Sequence, residues 1–305
     1  MKVLITGANG LLGQKLVYLL QQEKGIEIVA TSQGKRKLPS QLSGIVYACL
    51  DVTNQNEVHD AFSFFKPDCI VHTAALTDVD KCELQKELCW NINVEATQIV
   101  TKAAEQNKSF LLHISTDFIF DGENGPYDEE ATPNPVNHYG HSKLAAEKVL
   151  QNSSVEWAIA RTLSIYGHAP SLNRSNIILW VKNNLEKKTT IPVVDDQWRT
   201  PTLAEDLALG CYLIIRNRQQ GIFNISGKEL LTPYQMALQT ADYFNLDNQY
   251  IQRVNSSIFR QVAKRPPRTG LIINKAEEIL KYNPHSFLQG INILAYQLDE
   301  VKISS

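Results

Sequence analysis

Tyr139 and Lys143, in Tyr139-Gly140-His141-Ser142-Lys143, are residue types that can move a proton together. Four residues apart, they lie on one face of a helix, one turn from each other. An ammonium beside a phenol favours the phenolate and lowers its pKa from about 10 towards neutrality. The spacing therefore predicts a tyrosine that exchanges a proton at working pH. Such pairs also arise by chance in a chain of 305 residues, so this one gains meaning only with a cofactor site upstream.

Thr6-Gly7-Ala8-Asn9-Gly10-Leu11-Leu12-Gly13 supplies that site, with glycines spaced G-x-x-G-x-x-G. Glycines let the backbone turn tightly and approach a pyrophosphate, and the helix that follows points its positive end at the anion. A plain strand–turn–helix link is the alternative. Its position, closing the first strand of a βαβ pattern, favours the dinucleotide. Gly7, Asn9, Gly10, Leu11, Leu12 and Gly13 are the candidates to line it. After the second strand the chain reads Thr31-Ser32-Gln33-Gly34-Lys35-Arg36, without the carboxylate that usually binds a ribose 2′-hydroxyl. Ser32, Lys35 and Arg36 can instead meet a 2′-phosphate, unless they form a solvated basic loop. The cofactor expected is NADPH, with NADH admitted. Asp51 and Val52, after the third strand, are placed to contact adenine, and Ala74 and Ala75, after the fourth, are small enough for the cofactor to lie against.

These residues need a scaffold, and the hydrophobic rhythm describes one. Strands are predicted at Lys2–Thr6, Ile26–Thr31, Ile45–Leu50, Asp68–His72, Ser109–Ser115 and Val155–Arg161. Helices are predicted between them: Leu11–Leu20, Asn54–Phe65, one long helix over Lys81–Gln106, and Tyr139–Gln151. Strand alternating with helix means a parallel sheet covered on both faces. The loop from Thr116 to His138 is long enough to be functional rather than filler. Beyond Arg161 the rhythm loosens. Helices are expected at Asn173–Lys187, Leu203–Arg216, from Thr232-Pro233 to Phe244, at Asn274–Lys281 and at Ser286–Tyr296. Strands are expected at Thr190–Val194, Ile222–Ile225 and Tyr250–Val254. The fold class is α/β: a Rossmann-type doubly wound parallel sheet with a smaller C-terminal α/β substrate-binding part. Residues 1–161 form the dinucleotide domain, completed by segments around 190–225, and 162–305 form mainly the smaller part, interleaved with the first.

Composition narrows the function classes. Net charge is −2, with 43% hydrophobic and 20% charged residues, so no nucleic-acid or membrane surface is indicated. No apolar run reaches the length of a membrane span. The five cysteines, at 49, 69, 82, 89 and 211, form no CxxC pair and read as reduced thiols of a cytoplasmic protein. No His/Cys cluster suggests a metal.

The glycine pattern, Asp51 and Tyr139-x-x-x-Lys143 resemble the extended short-chain dehydrogenase/reductase superfamily. Longer stretches resemble its dTDP-4-dehydrorhamnose reductase group: His72-Thr-Ala-Ala-Leu-Thr-Asp-Val-Asp-Lys-Cys-Glu83, Ile114-Ser-Thr-Asp-Phe-Ile-Phe-Asp-Gly122, Asp196-Gln-Trp-Arg-Thr-Pro-Thr202 and Arg265-Pro266. The resemblance implies that Thr116 offers the catalytic hydroxyl, with Ser115 as its less suited neighbour. Tyr139 is then the proton donor, and Lys143 binds the nicotinamide ribose and holds the tyrosine pKa down. Asn93 matches a structural or proton-relay residue, and Thr77, Asp117, Phe118 and Arg199 are the substrate-contact candidates. The implied reaction is NADPH-dependent reduction of a nucleotide-linked 4-keto sugar, dTDP-4-dehydro-L-rhamnose to dTDP-L-rhamnose. The expected partners are that nucleotide sugar and a second copy of the chain.

Departures bear on the sugar. Phe118 stands where the group often has Tyr, and Arg161-Thr162-Leu163-Ser164 lacks a Trp that packs on the sugar. Arg199 stands where many members have Gly; it either clamps a substrate pyrophosphate or pairs with Asp195 or Asp196. Three other functions compete. A dehydratase needs a second carboxylate after the active-site Thr, and here Phe118 follows Asp117. An epimerase of the superfamily would keep its nucleotide bound. A non-catalytic NADP-binding regulatory subunit is the third, because the β subunit of methionine adenosyltransferase resembles this same group.

Overall fold

The computed structural model describes residues 1–39, 42–169, 172 and 176–303, with side chains to 298. Val3-Leu4-Ile5 forms the buried centre of β1 (Lys2–Thr6), followed by α1 (Leu11–Gln21), β2 (Glu27–Ser32) and β3 (Val46–Cys49). Next come α2 (Gln55–Phe65), capped by Asn54, and β4 (Cys69–His72). Then follow α3 (Val79–Leu84), α4 (Lys86–Trp90), α5 (Ala96–Asn107) and β5 (Phe110–Thr116). α6 (His138–Gln151) carries Tyr139 and Lys143 and leads into β6 (Trp157–Thr162).

The central sheet has seven strands, all parallel, in the order β3-β2-β1-β4-β5-β6, with Gly221–Asn224 on the outside of β6. Cys69-Ile70-Val71, Phe110-Leu111-Leu112 and Ala158-Ile159-Ala160 are buried on both faces, as strands between two helical layers must be. Leu12, Leu16, Val17 and Leu20 of α1 pack one face together with Leu207, Cys211 and Ile214. Val58 and Phe62 of α2, Val100 of α5 and Leu150 of α6 pack the other. The strand order reverses between β1 and β4. The carboxyl ends of those strands flank a crevice, where ligands of such sheets bind.

The C-terminal elements are β7 (Ile165–Tyr166), α7 (Ile177–Leu185), β8 (Ile191–Val194), β9 (Thr202–Leu203), α8 (Ala204–Arg216), β10 (Gly221–Asn224), α9 (Pro233–Tyr243), β11 (Ile251–Val254) and α10 (Phe287–Ile303). Thr232 caps α9 as expected, in a capping box closed by Gln235. Of the stretch 190–225, α8 and β10 join the central layers, but β8 does not. It pairs parallel with β11, and both strands pack on α7 and α9 through Val181, Ile191, Val193, Ala237 and Ile251. Its apolar run, Ile191-Pro-Val-Val194, carries no information about which sheet receives it. The expected start of α7 at Asn173 lies outside the described residues.

The single helix expected over 81–106 is four pieces. Gln85, at φ −126° and ψ 65°, separates α3 from α4, and a π-helical turn at Asn91–Glu95 separates α4 from α5. The widened turn presents the buried Asn93, whose Oδ1 accepts from Leu76 N–H at 2.8 Å. Its Nδ2 donates to Leu76 O at 3.1 Å and to Ser142 Oγ at 3.0 Å. Wide turns of this kind are frequent beside functional sites. The expected helix at 274–281 likewise ends in a π-helical turn, Ala276–Leu280.

Candidate active site

At the nucleotide end, Gly7 turns left-handed at φ +70°, and a Cβ there would sit 2.8 Å from Ala74 N and from Thr73 Oγ1. A Cβ on Gly13 would sit 2.5 Å from Gly7 O, so α1 closes directly onto the loop. Gly10 caps α1 with no side-chain hydrogen bond. The first-turn N–H groups of Leu11, Leu12 and Gly13 therefore have neither an intrahelical acceptor nor a side-chain cap. This open, glycine-walled helix end fits a dinucleotide pyrophosphate. The Leu12 side chain itself belongs to the core.

The Asn9 side chain is engaged within the protein. Its Nδ2 donates to Lys35 O at 3.0 Å and to the Tyr47 hydroxyl at 3.1 Å, and its Oδ1 accepts from Lys37 N–H at 2.9 Å. The amide ties the glycine loop to the loop after β2. Asp51 is similarly engaged. Its carboxylate accepts from Thr53 N–H at 2.9 Å, Thr53 Oγ1 at 2.7 Å and Gln33 Nε2 at 3.1 Å, which joins the ends of β2 and β3. Val52 beside it is buried. Ser32 is half-buried at the end of β2, and Lys35 and Arg36 are exposed. Arg36 Nη2 donates to Leu42 O at 2.8 Å and to Pro39 O at 3.3 Å, which draws its guanidinium over its own loop. Ala74 and Ala75 are half-buried just beyond β4.

At the chemical end, Thr116 closes β5. Its Oγ1 donates to Asp117 Oδ1 at 3.0 Å and accepts from Phe118 N–H at 3.3 Å. Asn137 caps α6 by accepting from Gly140 N–H at 2.8 Å. A Cβ on Gly140 would lie 2.1 Å from Phe118 O, so glycine alone lets α6 seat against the turn after Thr116. That contact sets Tyr139 against Phe118, edge to face with ring centres 5.8 Å apart, and brings its phenol near the Thr116 hydroxyl.

The expected depression of the tyrosine pKa is not found. Burial raises it above 10; the Thr116 hydroxyl opposes this, while Asp117, Cys82 and Cys89 add to it. Lys143 points elsewhere: its Nζ lies 2.9 Å from His113 Nε2, on β5. Burial lowers the Lys143 pKa to about 8, against the opposing charges of Glu147 and Cys89. One-turn spacing puts two side chains on the same face but does not oblige them to touch. Tyr139 is thus held protonated, the form in which a phenol gives a proton.

Arg199 does not pair with Asp195 or Asp196. It is 6% exposed and donates to Trp198 O at 2.7 Å, Pro266 O at 2.7 Å and Pro267 O at 3.2 Å, with Nε 3.9 Å from Asp117. Asp195 pairs with Arg253, and Asp196 accepts from Ser256. Asp117 is buried too, accepting from Thr116 and from Thr269 Oγ1. Burial raises its pKa, and Arg199, Thr269 and Thr116 lower it. The expected substrate contacts Asp117 and Arg199 therefore form an internal brace behind Thr116, while Thr77 is exposed on the segment after β4 and Phe118 is half-buried beside Tyr139. Arg199→Ala would leave Asp117 buried without its cation and should cost about 3 kcal/mol in urea melts. Substrate KM, measured where the variant is folded, should change by less than about threefold. A large rise in KM without loss of stability would restore the clamp.

Sequence reasoning missed His72 and His113. Each is the one histidine in an otherwise apolar strand, Cys69-Ile-Val-His72 and Phe110-Leu-Leu-His113, and that interruption was the available signal. It also missed the Arg161–Glu147 pair, fully buried with Nε–Oε1 3.0 Å and Nη2–Oε2 2.8 Å, which bolts α6 to β6.

Over residues 1–299 the chain matches the family model described as RmlD substrate binding domain. It is 33% identical over 264 residues to methionine adenosyltransferase 2 subunit beta of Bos taurus, across 84% of this chain and 76% of that one. A dTDP-4-dehydrorhamnose reductase of Clostridium acetobutylicum superposes with a TM-score of 0.86 at 28% identity, covering 98% of this chain and 100% of that one. The dTDP-4-dehydrorhamnose reductase of Bacillus anthracis, solved in complex with NADP, gives 0.83 at 26% identity over 97% and 99% of the two chains. This chain's parallel sheet, with its switch point at a glycine-walled helix end, superposes on those reductases over nearly its whole length, and the family model covers residues 1–299: the chain belongs to the RmlD family of extended short-chain dehydrogenase/reductases.

Proposed function

We propose that this chain is a nicotinamide-dependent reductase that uses NADPH to reduce a nucleotide-linked 4-keto sugar, dTDP-4-dehydro-L-rhamnose to dTDP-L-rhamnose. The observation that carries this reading is that α6 seats Tyr139 near Thr116, at the carboxyl end of β5, and Lys143 against His113 of the same strand, beside the crevice that α1 opens. The solved reductases of the same fold, one with NADP, support it. The first-turn N–H groups of α1 would hold the pyrophosphate and Lys143 the ribose; the cofactor supplies the hydride. Tyr139, kept protonated by burial, gives its proton to the oxygen of the reduced carbonyl. Thr116 donates to Asp117 in this structure, which fixes its hydroxyl beside the phenol at the end of β5. Buried dipoles placed in advance in this way stabilise developing charge more than solvent does. The five free thiols suit a cytoplasmic, reducing compartment.

The likeness to methionine adenosyltransferase 2 subunit beta favours a second reading, a regulatory subunit that binds NADP without turning over a sugar. NADPH oxidation against a panel of nucleotide 4-keto sugars separates the two. Turnover of a member of the panel supports the reductase; tight NADPH binding with none reduced moves the regulatory reading ahead. The cofactor preference has its own test. Arg36→Ala should narrow the preference for NADPH over NADH by about 1–2 kcal/mol, the worth of a charge-assisted hydrogen bond. The ratio of kcat/KM for the two cofactors reads it, and equal values in the wild type would refute the 2′-phosphate assignment.

A further inference from the structure

Two buried histidines behind Lys143 are unused by the mechanism above. The strand register sets His72 of β4 beside His113 of β5, with ring centres 5.4 Å apart. His72 is satisfied at both nitrogens, Nδ1 with Thr6 Oγ1 at 2.8 Å and Nε2 with Thr97 Oγ1 at 3.3 Å. His113 is not. Its Nε2 meets Lys143 Nζ at 2.9 Å, and its Nδ1 is buried with no partner among the described residues. Both rings are 1% exposed and Lys143 is 2% exposed.

This arrangement is costly. Burial and the Lys143 charge both keep His113 neutral. A neutral ring that accepts at Nε2 carries its proton on Nδ1, where nothing receives it. A buried donor left unmade is destabilising, and native structures hold few of them. The charged and titratable groups around Lys143 explain why the cost is borne. Tyr139 lies one turn before it on α6 and Glu147 one turn after, Cys89 approaches from α4, and His72 and His113 face it from the sheet. Glu147 is committed to Arg161 through both oxygens. His113 Nε2 is the hydrogen-bond acceptor that Lys143 has among the described residues.

We propose that His113 is a positioning residue for Lys143: its Nε2 takes one ammonium proton and fixes the ammonium one turn from Tyr139, leaving two donors for the ribose hydroxyls of a nicotinamide nucleotide. The assignment of the ribose rests on the reductase-fold reading above; the His113–Lys143 bond does not. Without that acceptor the buried ammonium is harder to keep, and Lys143 loses its proton at lower pH.

The test reads Lys143 directly. Protein carrying ¹³Cε-lysine is titrated by NMR, with Lys143→Met identifying the signal, and the Kd for NADPH is measured across the same pH range. In the wild type, affinity falls as pH rises through the Lys143 titration, near pH 8. His113→Leu should move both curves about one unit towards acid, weakening NADPH binding about twofold at pH 7 and about tenfold above pH 9, where the protonated fraction of Lys143 differs by a full pKa unit. His113→Gln, which restores an acceptor oxygen, should bring both back to within a few-fold. If the leucine variant does not fold, His113→Asn, with an amide too short to reach, should show the same shift. A Lys143 titration and NADPH affinity that stay at wild-type values in the Asn or Leu variant overturn the proposal. If the curves move as expected while no keto sugar is turned over, the positioning role stands and the reductase reading falls.

Discussion

Tyr139→Phe is expected to lower kcat by about 10²–10⁴, the usual worth of general acid catalysis, with NADPH affinity within a few-fold of wild type. The ring is buried and packs edge-on against Phe118, contacts that phenylalanine retains, so thermal stability should hold. What is lost is the phenolic proton and its contact with the Thr116 hydroxyl. Lys143→Met should lose rate and cofactor affinity together. The two losses should be less than additive, because both act on one proton transfer. Lys143 also marks itself in stability against pH. Its folded pKa, about 8, lies below its ordinary value of 10.5, so the unfolded chain binds more protons between those values. Wild-type stability should therefore rise as pH climbs from about 8 to 10.5, a slope that Lys143→Met removes. Wild-type turnover by Tyr139→Phe would exclude the mechanism proposed here.

Glu147→Ala is the largest expected stability effect away from the chemistry, a loss of about 3–5 kcal/mol. It strands the Arg161 guanidinium, 2% exposed, with Glu129 O at 3.1 Å and the Phe120 ring as its remaining partners. The pair joins α6 to β6, so its loss should also loosen the helix that carries Tyr139 and Lys143. Replacing both partners by apolar residues of similar volume should cost less than removing the carboxylate alone, because no buried charge is then left unpaired. Denaturant melts of the single and double variants measure this. A single variant as stable as wild type would show that the pair contributes nothing.

The central sheet was legible in the sequence because strands buried on both faces are continuous apolar runs, and helices between them repeat at a different period. Lys2–Thr6 agrees with the structure to the residue, and the other five strands of the first 161 residues fall within two residues of their expected ends. The glycine loop was legible for a related reason. Its backbone requires residues without Cβ, so the need is written as residue identity. Thr116, Tyr139 and Lys143 were legible as types and as spacing.

Partner choice was not legible. Arg199 looked like a clamp because arginine suits phosphate, yet the Pro266 and Pro267 carbonyls accept from it and Asp117 faces its charge. Those partners are distant in sequence, and local pattern does not register them. β8 read as a strand and gave no sign that β11 would receive it rather than the central sheet.

The sequence by itself determined the alternating βα scaffold, the glycine-lined helix end and the presence of a Tyr/Lys pair on one helical face, because each depends on residues near one another in the chain. Only the tertiary structure decided that the Lys143 ammonium meets His113 instead of Tyr139, that Asp117 and Arg199 brace the site from behind, and that Tyr139 keeps its proton. Each of those depends on burial and on which distant group arrives within hydrogen-bonding distance, and neither is set until the sheet and its helices have packed.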